Sequence, residues 1–231
     1  MTRDAIFGGR VVLSQPARGL GYRVNADALL LADFAGRARG VTMDLGAGVG
    51  AVAFVMLATG SAERAVLVDD DERACALARG NAGANGFGAR ARVVCEDALD
   101  AARKHRSSAS LVVCNPPYSE PGTSRLPKGD ARARIGSLER FARAARESLA
   151  PRGRACFVYP APDLARLLST LAARGLHPKR LRLVHATASH PARVALVEAR
   201  AARPGGLVIL PPLVERAGSA YTAEAARILG R

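Results

Sequence analysis

The sequence has few aromatic residues, few cysteines and no long apolar run, and each shortage excludes a class of protein. Aromatic side chains make up 4% of the 231 residues and tryptophan is absent, which argues against an extended ring platform for single-stranded nucleic acid. The four cysteines show no C-x-x-C spacing and form no ligand pattern with the four histidines, so we expect no metal site. No apolar run reaches the ~18 residues of a membrane span, and the amino terminus lacks the apolar core of a secretory signal. We therefore expect a cytoplasmic protein with no membrane partner.

Acidic residues are also scarce relative to basic ones. Lysine and arginine number 34 against 20 aspartates and glutamates, which gives a formal net charge of +14. Clustered cations favour a polyanionic partner such as RNA, because binding releases counterions from phosphates. Only three of the basic residues are lysines, however, and an arginine-rich and alanine-rich chain can also reflect a GC-rich genome. Charge alone therefore indicates nucleic acid but leaves the genomic explanation open.

The chain contains a regular alternation of β-rich and helical segments. Strands are predicted at 41–45, 65–69, 91–95, 110–114 and 154–159, with helices at 50–60, 71–83, 137–150 and 163–174. This alternation implies right-handed crossovers and a parallel sheet covered by helices on both faces. Two further strands, at 181–186 and 192–200, are joined by too few residues for a helix and should pair antiparallel. The predicted fold class is α/β.

The remaining segments are fitted into a single domain spanning residues 1–231. Residues 11–24 resemble a small hairpin and residues 25–38 a helix, so residues 1–40 would form an amino-terminal extension. Residues 119–134 lack apolar periodicity, and we expect a mobile loop there. No linker divides the chain, and its length suits one α/β domain.

A glycine-rich loop follows the first strand of the alternating region. Its sequence is Asp44-Leu45-Gly46-Ala47-Gly48-Val49-Gly50. Glycines here let the backbone turn sharply and approach a ligand at the carboxyl end of the sheet. With the next alanine, the run also satisfies the G-x-G-x-x-G/A pattern of nicotinamide and flavin proteins, although no residues suited to hydride transfer are found. The loop alone therefore leaves the cofactor open.

Acidic residues near the strand ends favour one cofactor. Asp44 would direct a negative charge at an amino or sulfonium group. Asp69 ends the second strand, where a carboxylate can accept both ribose hydroxyls. At the end of the third strand, Glu96-Asp97 could accept a hydrogen from an adenine amine. A cation, a ribose and an adenine together describe S-adenosylmethionine.

The fourth strand ends on Asn115-Pro116-Pro117-Tyr118. Asn115 and Pro116 each precede a proline and are therefore held in extended conformations. The side-chain oxygen of Asn115 and the carbonyl oxygen of Pro116 could accept the two hydrogens of one planar NH2 group, while Tyr118 offers a face to the attached ring. An adenine amine or a glutamine amide fits this description. We expect these four residues to bind and orient the amine for attack on an S-methyl group.

The glycine loop and the Asn-Pro-Pro-Tyr motif together resemble class I, Rossmann-like S-adenosylmethionine-dependent amino-methyltransferases. More narrowly, residues 19–36, 78–86, 115–127 and 191–214 are similar to the bacterial tRNA1(Val) adenine-37 N6-methyltransferase family. The resemblance covers almost the whole chain. It implies a seven-stranded, mostly parallel sheet with an antiparallel carboxyl-terminal strand, and methylation of the adenosine N6 atom beside the anticodon. N6-adenine methylation of ribosomal RNA and N5-glutamine methylation of a release factor stay open as alternatives.

The resemblance also bears on the cofactor-binding residues. The segment with Arg23, Asn25 and Asp27 resembles the region that packs over the methionine end of the cofactor, although Asn25 or Asp27 could equally cap the following helix. Asp70 and Asp71 follow Asp69 where the family usually has an apolar residue, and Asp69 is the preferred ribose ligand. The expected cofactor-binding residues are Asp44, Gly46, Ala47, Gly48, Asp69, Asp70, Asp97, Ala98, Asn115, Arg23, Asn25 and Asp27.

Two basic clusters are candidates for RNA contact. The first lies in the expected mobile loop beside the amine site, and the second follows the fourth predicted helix. Neutralising phosphates at either place would add affinity without reading sequence. The clusters are Arg125, Lys128, Arg132 and Arg134, and Lys179, Arg180 and Arg182.

Overall fold

The computed structural model describes residues 1–17, 24–116, 138–201 and 204–231. Several predictions fall outside these residues and are not addressed by the structure. They concern the loop at 119–134 and the site residues Arg23, Pro117, Tyr118, Arg125, Lys128, Arg132 and Arg134.

Strands and helices alternate as the sequence predicts. The amino-terminal part contains β1 (Thr2–Ile6), β2 (Val11–Gln15), α1 (Ala26–Ala35), β3 (Ala38–Leu45), α2 (Ala51–Ala58), β4 (Ala62–Asp69), α3 (Glu72–Ala84), β5 (Ala91–Cys95), α4 (Ala98–Lys104) and β6 (Ala109–Cys114). The remainder contains α5 (Leu138–Ser148), β7 (Leu149–Pro160), α6 (Leu164–Ala173), β8 (His177–Thr187), β9 (Ala192–Arg200), β10 (Val208–Ile209), β11 (Leu213–Ala217), β12 (Ala220–Tyr221) and α7 (Ala223–Leu229).

One large sheet organises the described part of the chain, with strand order β12-β11-β8-β9-β7-β6-β3-β4-β5 and β10 paired to β8. From β7 through β6, β3 and β4 to β5, neighbouring strands are parallel. Strand β9 is antiparallel to both β7 and β8. These seven central strands confirm the predicted mostly parallel sheet with its antiparallel carboxyl-terminal strand. Strands β10, β11 and β12 extend it further, and their few residues are too short to show periodicity in the sequence.

Two clusters of buried apolar side chains cover the two faces of the sheet. Along β6, Leu111 and Val113 belong to one cluster, whereas Val112 and Cys114 belong to the other. The first cluster includes side chains of α1 and α2, and the second includes side chains of α4, α5 and α6. Because both faces are buried, the central strands appear in the sequence as continuous apolar runs.

The amino-terminal hairpin lies elsewhere than predicted. It is formed by β1 and β2 in antiparallel register, with Thr2 opposite Gln15 and Ile6 opposite Val11. The prediction placed the hairpin at 11–24, which is wrong for the described residues because 11–15 form its second strand. The first strand, TRDAI, alternates between half-buried and exposed positions and has too little apolar character to be recognised as a strand.

Two asparagines of α3 attach the hairpin to the rest of the fold. The Oδ1 atom of Asn81 accepts the backbone N–H of Ser14 at 2.7 Å, and that of Asn85 accepts the N–H of Val12 at 2.8 Å. Both side-chain amides also donate to the carbonyl oxygens of the same two strand residues. These amides satisfy backbone groups of β2 that a further strand would otherwise pair.

Two kinds of feature are missing from the part of the chain that the structure describes. No helix there has the length and apolar character needed to cross a bilayer. Within the same residues, no group of three or more histidine, cysteine, aspartate or glutamate side chains could hold a metal ion.

Candidate cofactor and amine site

The carboxyl ends of β5, β4, β3 and β6 meet at one edge of the sheet. Leu45 near the glycine loop is in register with Val68 of β4 and with Cys114 of β6. Asp69 is in register with Cys95 at the end of β5. The residues that follow each strand, which include most of the predicted site, therefore lie side by side at the edge where open α/β folds bind ligands.

The glycine loop requires glycine for two different reasons. Gly46, Gly48 and Gly50 have φ values of 70°, 54° and 92°, a region that L side chains rarely adopt. At Gly50 a Cβ atom would collide with the ring of Phe54 and lie 2.8 Å from Leu67, so close packing beneath the loop excludes a side chain. At Gly48 nothing lies within 4 Å of the Cβ position. This glycine therefore faces open space where a ligand can approach the backbone.

Asp69 joins the glycine loop to the neighbouring strand. Its Oδ2 atom accepts the backbone N–H of Gly48 at 2.7 Å, and its Oδ1 atom accepts that of Asp71 at 3.0 Å. Each oxygen keeps a second lone pair that can accept a ribose hydroxyl. Burial raises the pKa of Asp69, and the two backbone hydrogen bonds offset part of that rise. Asp69 thus lies at the predicted ribose position with its carboxylate oriented by the loop.

The three consecutive aspartates have separate environments. Asp71 is the N-cap of α3, and its Oδ1 atom accepts the N–H groups of Arg73 at 2.8 Å and Ala74 at 3.4 Å. Asp70 is exposed. Of the three, only Asp69 makes a described hydrogen bond to the glycine loop, which supports the preference for Asp69 over Asp70 as ribose ligand.

Asp44 is buried against the start of α2. Its side chain is 1% exposed, and its Oδ2 atom accepts the N–H of Ala53 at 3.1 Å. Burial raises the pKa of Asp44 to about 7; the Ala53 hydrogen bond lowers it and the charge of Asp69 raises it. Asp44 is therefore only partly ionised near neutral pH. Its predicted role, a negative charge directed at the cofactor, stays a prediction.

Asp97 caps α4 and also contacts α5. Its Oδ1 atom accepts the N–H groups of Leu99 at 2.8 Å and Asp100 at 3.3 Å, and its Oδ2 atom accepts the Nε–H of Arg140 at 2.6 Å. Burial alone would raise the pKa of Asp97, but the hydrogen bonds from Arg140 and from these backbone groups lower it below its ordinary value. Asp97 is therefore ionised. Ala98, the next predicted residue, is buried in the first turn of α4.

Asn115 and Pro116 are the two amine-site residues that the structure describes. They directly follow β6, where Asn115 is partly exposed and Pro116 is buried. Cys114 before them is fully buried and in register with Leu45. Asn115 therefore leaves the sheet beside the glycine loop, and its contact with a target amine stays a prediction.

The residues at the start of α1 have structural partners. Asn25 is the N-cap of α1, and its Oδ1 atom accepts the N–H of Asp27 at 3.1 Å. The carboxylate of Asp27 is buried and pairs with Arg193, which makes two further 2.7 Å hydrogen bonds to Glu215. The capping alternative is thus confirmed for Asn25. Cofactor contact by Asn25 or Asp27 stays a prediction.

The second basic cluster is engaged in internal contacts. Arg180 donates to Glu198 at 3.0 Å, and Arg182 makes two 2.8 Å hydrogen bonds to Glu224. Lys179 donates to a backbone carbonyl oxygen at 2.7 Å. Carboxylates already neutralise the two arginines, so their predicted contact with RNA has less electrostatic support than the sequence indicated.

Two residues at the start of α5 belong to the site and were not predicted. Arg140 contacts Asp97, and the ring of Phe141 lies 3.2 Å from the Cβ position at Gly46. No motif marks either residue, because both reach the site only through the packing of α5 against α4 and β3. A pairing of distant helices of this kind has no local signal in a single sequence.

The strand order and the loops at its carboxyl edge correspond to the fold of class I methyltransferases, which use S-adenosylmethionine as cofactor. A crystal structure described as a predicted O-methyltransferase from Agrobacterium tumefaciens superposes with a TM-score of 0.71 at 22% identity, covering 87% of this chain and 94% of that one. Geranyl diphosphate C-methyltransferase from Streptomyces coelicolor, solved with S-adenosyl-L-homocysteine, gives a TM-score of 0.54 at 15% identity, covering 77% and 79%. These likenesses show the fold and leave the methyl acceptor open.

The chain belongs to the methyltransferase small domain family, whose model matches residues 24–164. The family resemblance seen in the sequence is thereby confirmed. The curated proteins it matches include the tRNA1(Val) (adenine(37)-N6)-methyltransferase of Serratia proteamaculans, 31% identical over 162 residues, covering 67% of this chain and 62% of that protein. The protein of the same name from Pectobacterium carotovorum is 31% identical over 144 residues, covering 60% and 58%. The chain thus spans about three fifths of the length of these relatives.

Proposed function

We propose that this chain methylates the exocyclic N6 amine of an adenosine in RNA, with adenosine 37 of a tRNA as its target. The observation that carries the proposal is the position of Asn115 and Pro116 beside the glycine loop, at the carboxyl edge of the sheet. The names of the curated relatives support tRNA as the substrate. The excess of basic residues is consistent with a polyanionic partner.

The residues at this edge fit S-adenosylmethionine, which when bound supplies an activated methyl group on a cationic sulfur. The open space at Gly48 allows close approach to the backbone. Asp69 would accept the ribose hydroxyls, and Asp97 would accept an adenine amine hydrogen. The alternating glycines and two carboxylates on adjacent strand ends thus provide one recognition group for each part of the nucleoside.

Asn115 and Pro116 would hold the target amine. Their two oxygen atoms accept its two hydrogens, which directs the nitrogen lone pair away from both residues. Alignment of this kind can lower a barrier by roughly 7–11 kcal/mol in favourable cases. No general base is required, because the proton on the methylated nitrogen is acidic enough to leave to solvent.

The same proposal includes one catalytic domain over residues 1–231 and a cytoplasmic location. The sheet draws its strands from Ala38 to Tyr221, which supports a single folded unit. The small hairpin at the amino terminus attaches to α3 of that unit, and this attachment supports an amino-terminal extension, proposed for residues 1–40.

Incubation with methyl-labelled cofactor and, separately, with tRNA, ribosomal RNA and release factors tests the substrate. We expect label in tRNA, at N6 of adenosine 37 after nucleoside mapping. A glutamine amide presents the same NH2 group to Asn115 and Pro116 as an adenine does, so release factors belong in the test. Label in a ribosomal adenosine or in a glutamine side chain would contradict the tRNA assignment.

Substitution of Asn115 tests the mechanism. Asn115→Ala should lower the transfer rate by at least about 10²-fold, because the amine loses half of its orienting contacts, while S-adenosylhomocysteine still binds. Ser108→Ala, an exposed change near the opposite end of β6, serves as the control with an unchanged rate. A near-normal rate in Asn115→Ala would overturn the mechanism.

A further inference from the structure

We propose that Arg140 is a positioning residue of the cofactor site, which acts through Asp97 to select a purine carrying a 6-amino group. The inference rests on the cofactor use argued above and is independent of which RNA is methylated. Its starting point is the 2.6 Å hydrogen bond from the Arg140 Nε–H to Asp97 Oδ2.

The Arg140–Asp97 pair is placed for ligand binding more than for stability. The Arg140 side chain is 50% exposed and that of Asp97 is 23% exposed, and exposed ion pairs contribute little to folding in water. The Oδ1 atom of Asp97 is already occupied by the first turn of α4. Arg140 therefore orients the remaining oxygen, Oδ2, which keeps one lone pair for a ligand.

The guanidinium of Arg140 is surrounded by acidic side chains. The hydrogen bond to Asp97 raises the pKa of Arg140 most and burial lowers it in part, while the charges of Asp97, Asp100 and Asp70 raise it by smaller amounts. Asp70 follows β4 and Asp97 follows β5, which are neighbouring strands. The carboxylates that act on the Arg140 guanidinium thus include one residue after each of these two strands.

The first turn of α5 contacts both Asp97 after β5 and the glycine loop after β3. Phe141, next to Arg140, lies 3.2 Å from the Cβ position of Gly46 in the glycine loop. Packing of Phe141 therefore limits the freedom of the backbone that carries Arg140. A planar guanidinium held in this way presents a fixed donor direction to Asp97.

This arrangement favours one purine over another. An ionised, oriented Asp97 accepts a hydrogen from a 6-amino group, whereas a 6-oxo group would place a second acceptor against the carboxylate. Sites built to accept a hydrogen bond reject analogues that cannot supply one. Without Arg140, burial would raise the pKa of Asp97 and its oxygen would lose its fixed direction, so the discrimination should fall.

The test compares binding of S-adenosylhomocysteine with binding of its 6-oxo analogue, S-inosylhomocysteine, by calorimetry. We define the selectivity ratio as the dissociation constant of S-inosylhomocysteine divided by that of S-adenosylhomocysteine. In Arg140→Met this ratio should fall by about tenfold, mainly through weaker binding of S-adenosylhomocysteine. Arg140→Lys, which keeps the charge but loses the planar fork, should give an intermediate ratio. Arg143→Met is the matched control, because Arg143 is also 50% exposed and pairs with a carboxylate one turn away at 3.0 Å. Its ratio should equal that of the unaltered protein.

A double-mutant cycle separates this role from a merely structural one. In an Asp97→Asn background, Arg140→Met should leave the ratio unchanged, because the residue through which Arg140 acts has been altered. An unchanged ratio in Arg140→Met alone would overturn the inference while leaving the proposed function intact. Tighter binding of S-adenosylhomocysteine to Arg140→Met would also overturn it, since Arg140 would then compete with the ligand. Failure of the unaltered protein to bind S-adenosylhomocysteine would refute the cofactor site itself.

Discussion

Replacement of Asp44 by asparagine should stabilise the protein, and the gain should grow with pH. Asp44 is 1% exposed, and burial raises its pKa from the ordinary value of 3.8 to about 7. A buried acid with a raised pKa holds its proton in the folded state after the unfolded chain has released it. Stability therefore falls as the pH rises from about 4 to about 7, and the loss levels off above that range.

The size of the effect follows from the two pKa values. At 1.36 kcal/mol per pKa unit, Asp44 lowers the free energy of unfolding by roughly 2 kcal/mol near pH 5 and by roughly 4 kcal/mol near pH 8. An asparagine side chain in its place carries no charge at either pH and keeps an oxygen that can accept the N–H of Ala53. The advantage of Asp44→Asn should therefore increase by roughly 2–3 kcal/mol between the two conditions.

Urea unfolding of the ligand-free protein at both pH values measures this difference. Asp70→Asn is the control, because it removes the same formal charge from a side chain that is exposed. That control should change the free energy of unfolding by less than about 0.5 kcal/mol. An equal advantage of Asp44→Asn at both pH values would refute the reasoning, because it would mean that Asp44 titrates alike in the folded and unfolded chain.

Three further predictions concern the glycine loop, a buried carboxylate and a helix cap. Gly50→Ala should lower the free energy of unfolding by roughly 3 kcal/mol, because the added methyl group meets Phe54 and the φ of this residue is positive. Gly48→Ala should lower the free energy of unfolding less and weaken cofactor binding more. Equal losses of stability for the two variants in chemical denaturation would contradict this prediction. Glu198→Gln should lower the free energy of unfolding by roughly 3 kcal/mol in the same assay, because this buried carboxylate pairs with three arginines. An unchanged free energy of unfolding would contradict this prediction and would show those arginines to be fully solvated. Asp71→Ala should lower the free energy of unfolding by about 1 kcal/mol through loss of the α3 N-cap. A thermal melt would detect this loss as a lower midpoint temperature, and an unchanged midpoint would mean that water replaces the cap.

The central strands could be predicted because burial on both faces makes each one a short apolar run. The strand predicted at 110–114, for example, has the bounds Ala109–Cys114 in the structure and is almost wholly buried. Elements with weaker patterns were missed or misplaced. The seven-residue helix α4 is too short for its period to show, and β1 was not recognised because its residues are only half buried.

The local motifs located the site, but neighbours in space assigned its residues. Adjacent aspartates at 69, 70 and 71 look alike in the sequence, and only the hydrogen bonds to Gly48 and to the first turn of α3 separate them. Likewise, Lys179, Arg180 and Arg182 form a basic cluster in the sequence, yet Glu198 and Glu224 neutralise the two arginines in the fold.

By itself the sequence determined the order of the central strands and helices, the glycine loop and the place of Asn115 and Pro116 after β6, because backbone preferences and side-chain alternation act over a few residues. Tertiary structure decided the ionisation of Asp44 and the partners of Asp97 and Asp27, since these depend on groups far away in the chain. Arg140 is 43 residues from Asp97, and Arg193 is 166 residues from Asp27. Electrostatic interactions and burial depend on distance in space, which local sequence patterns do not specify.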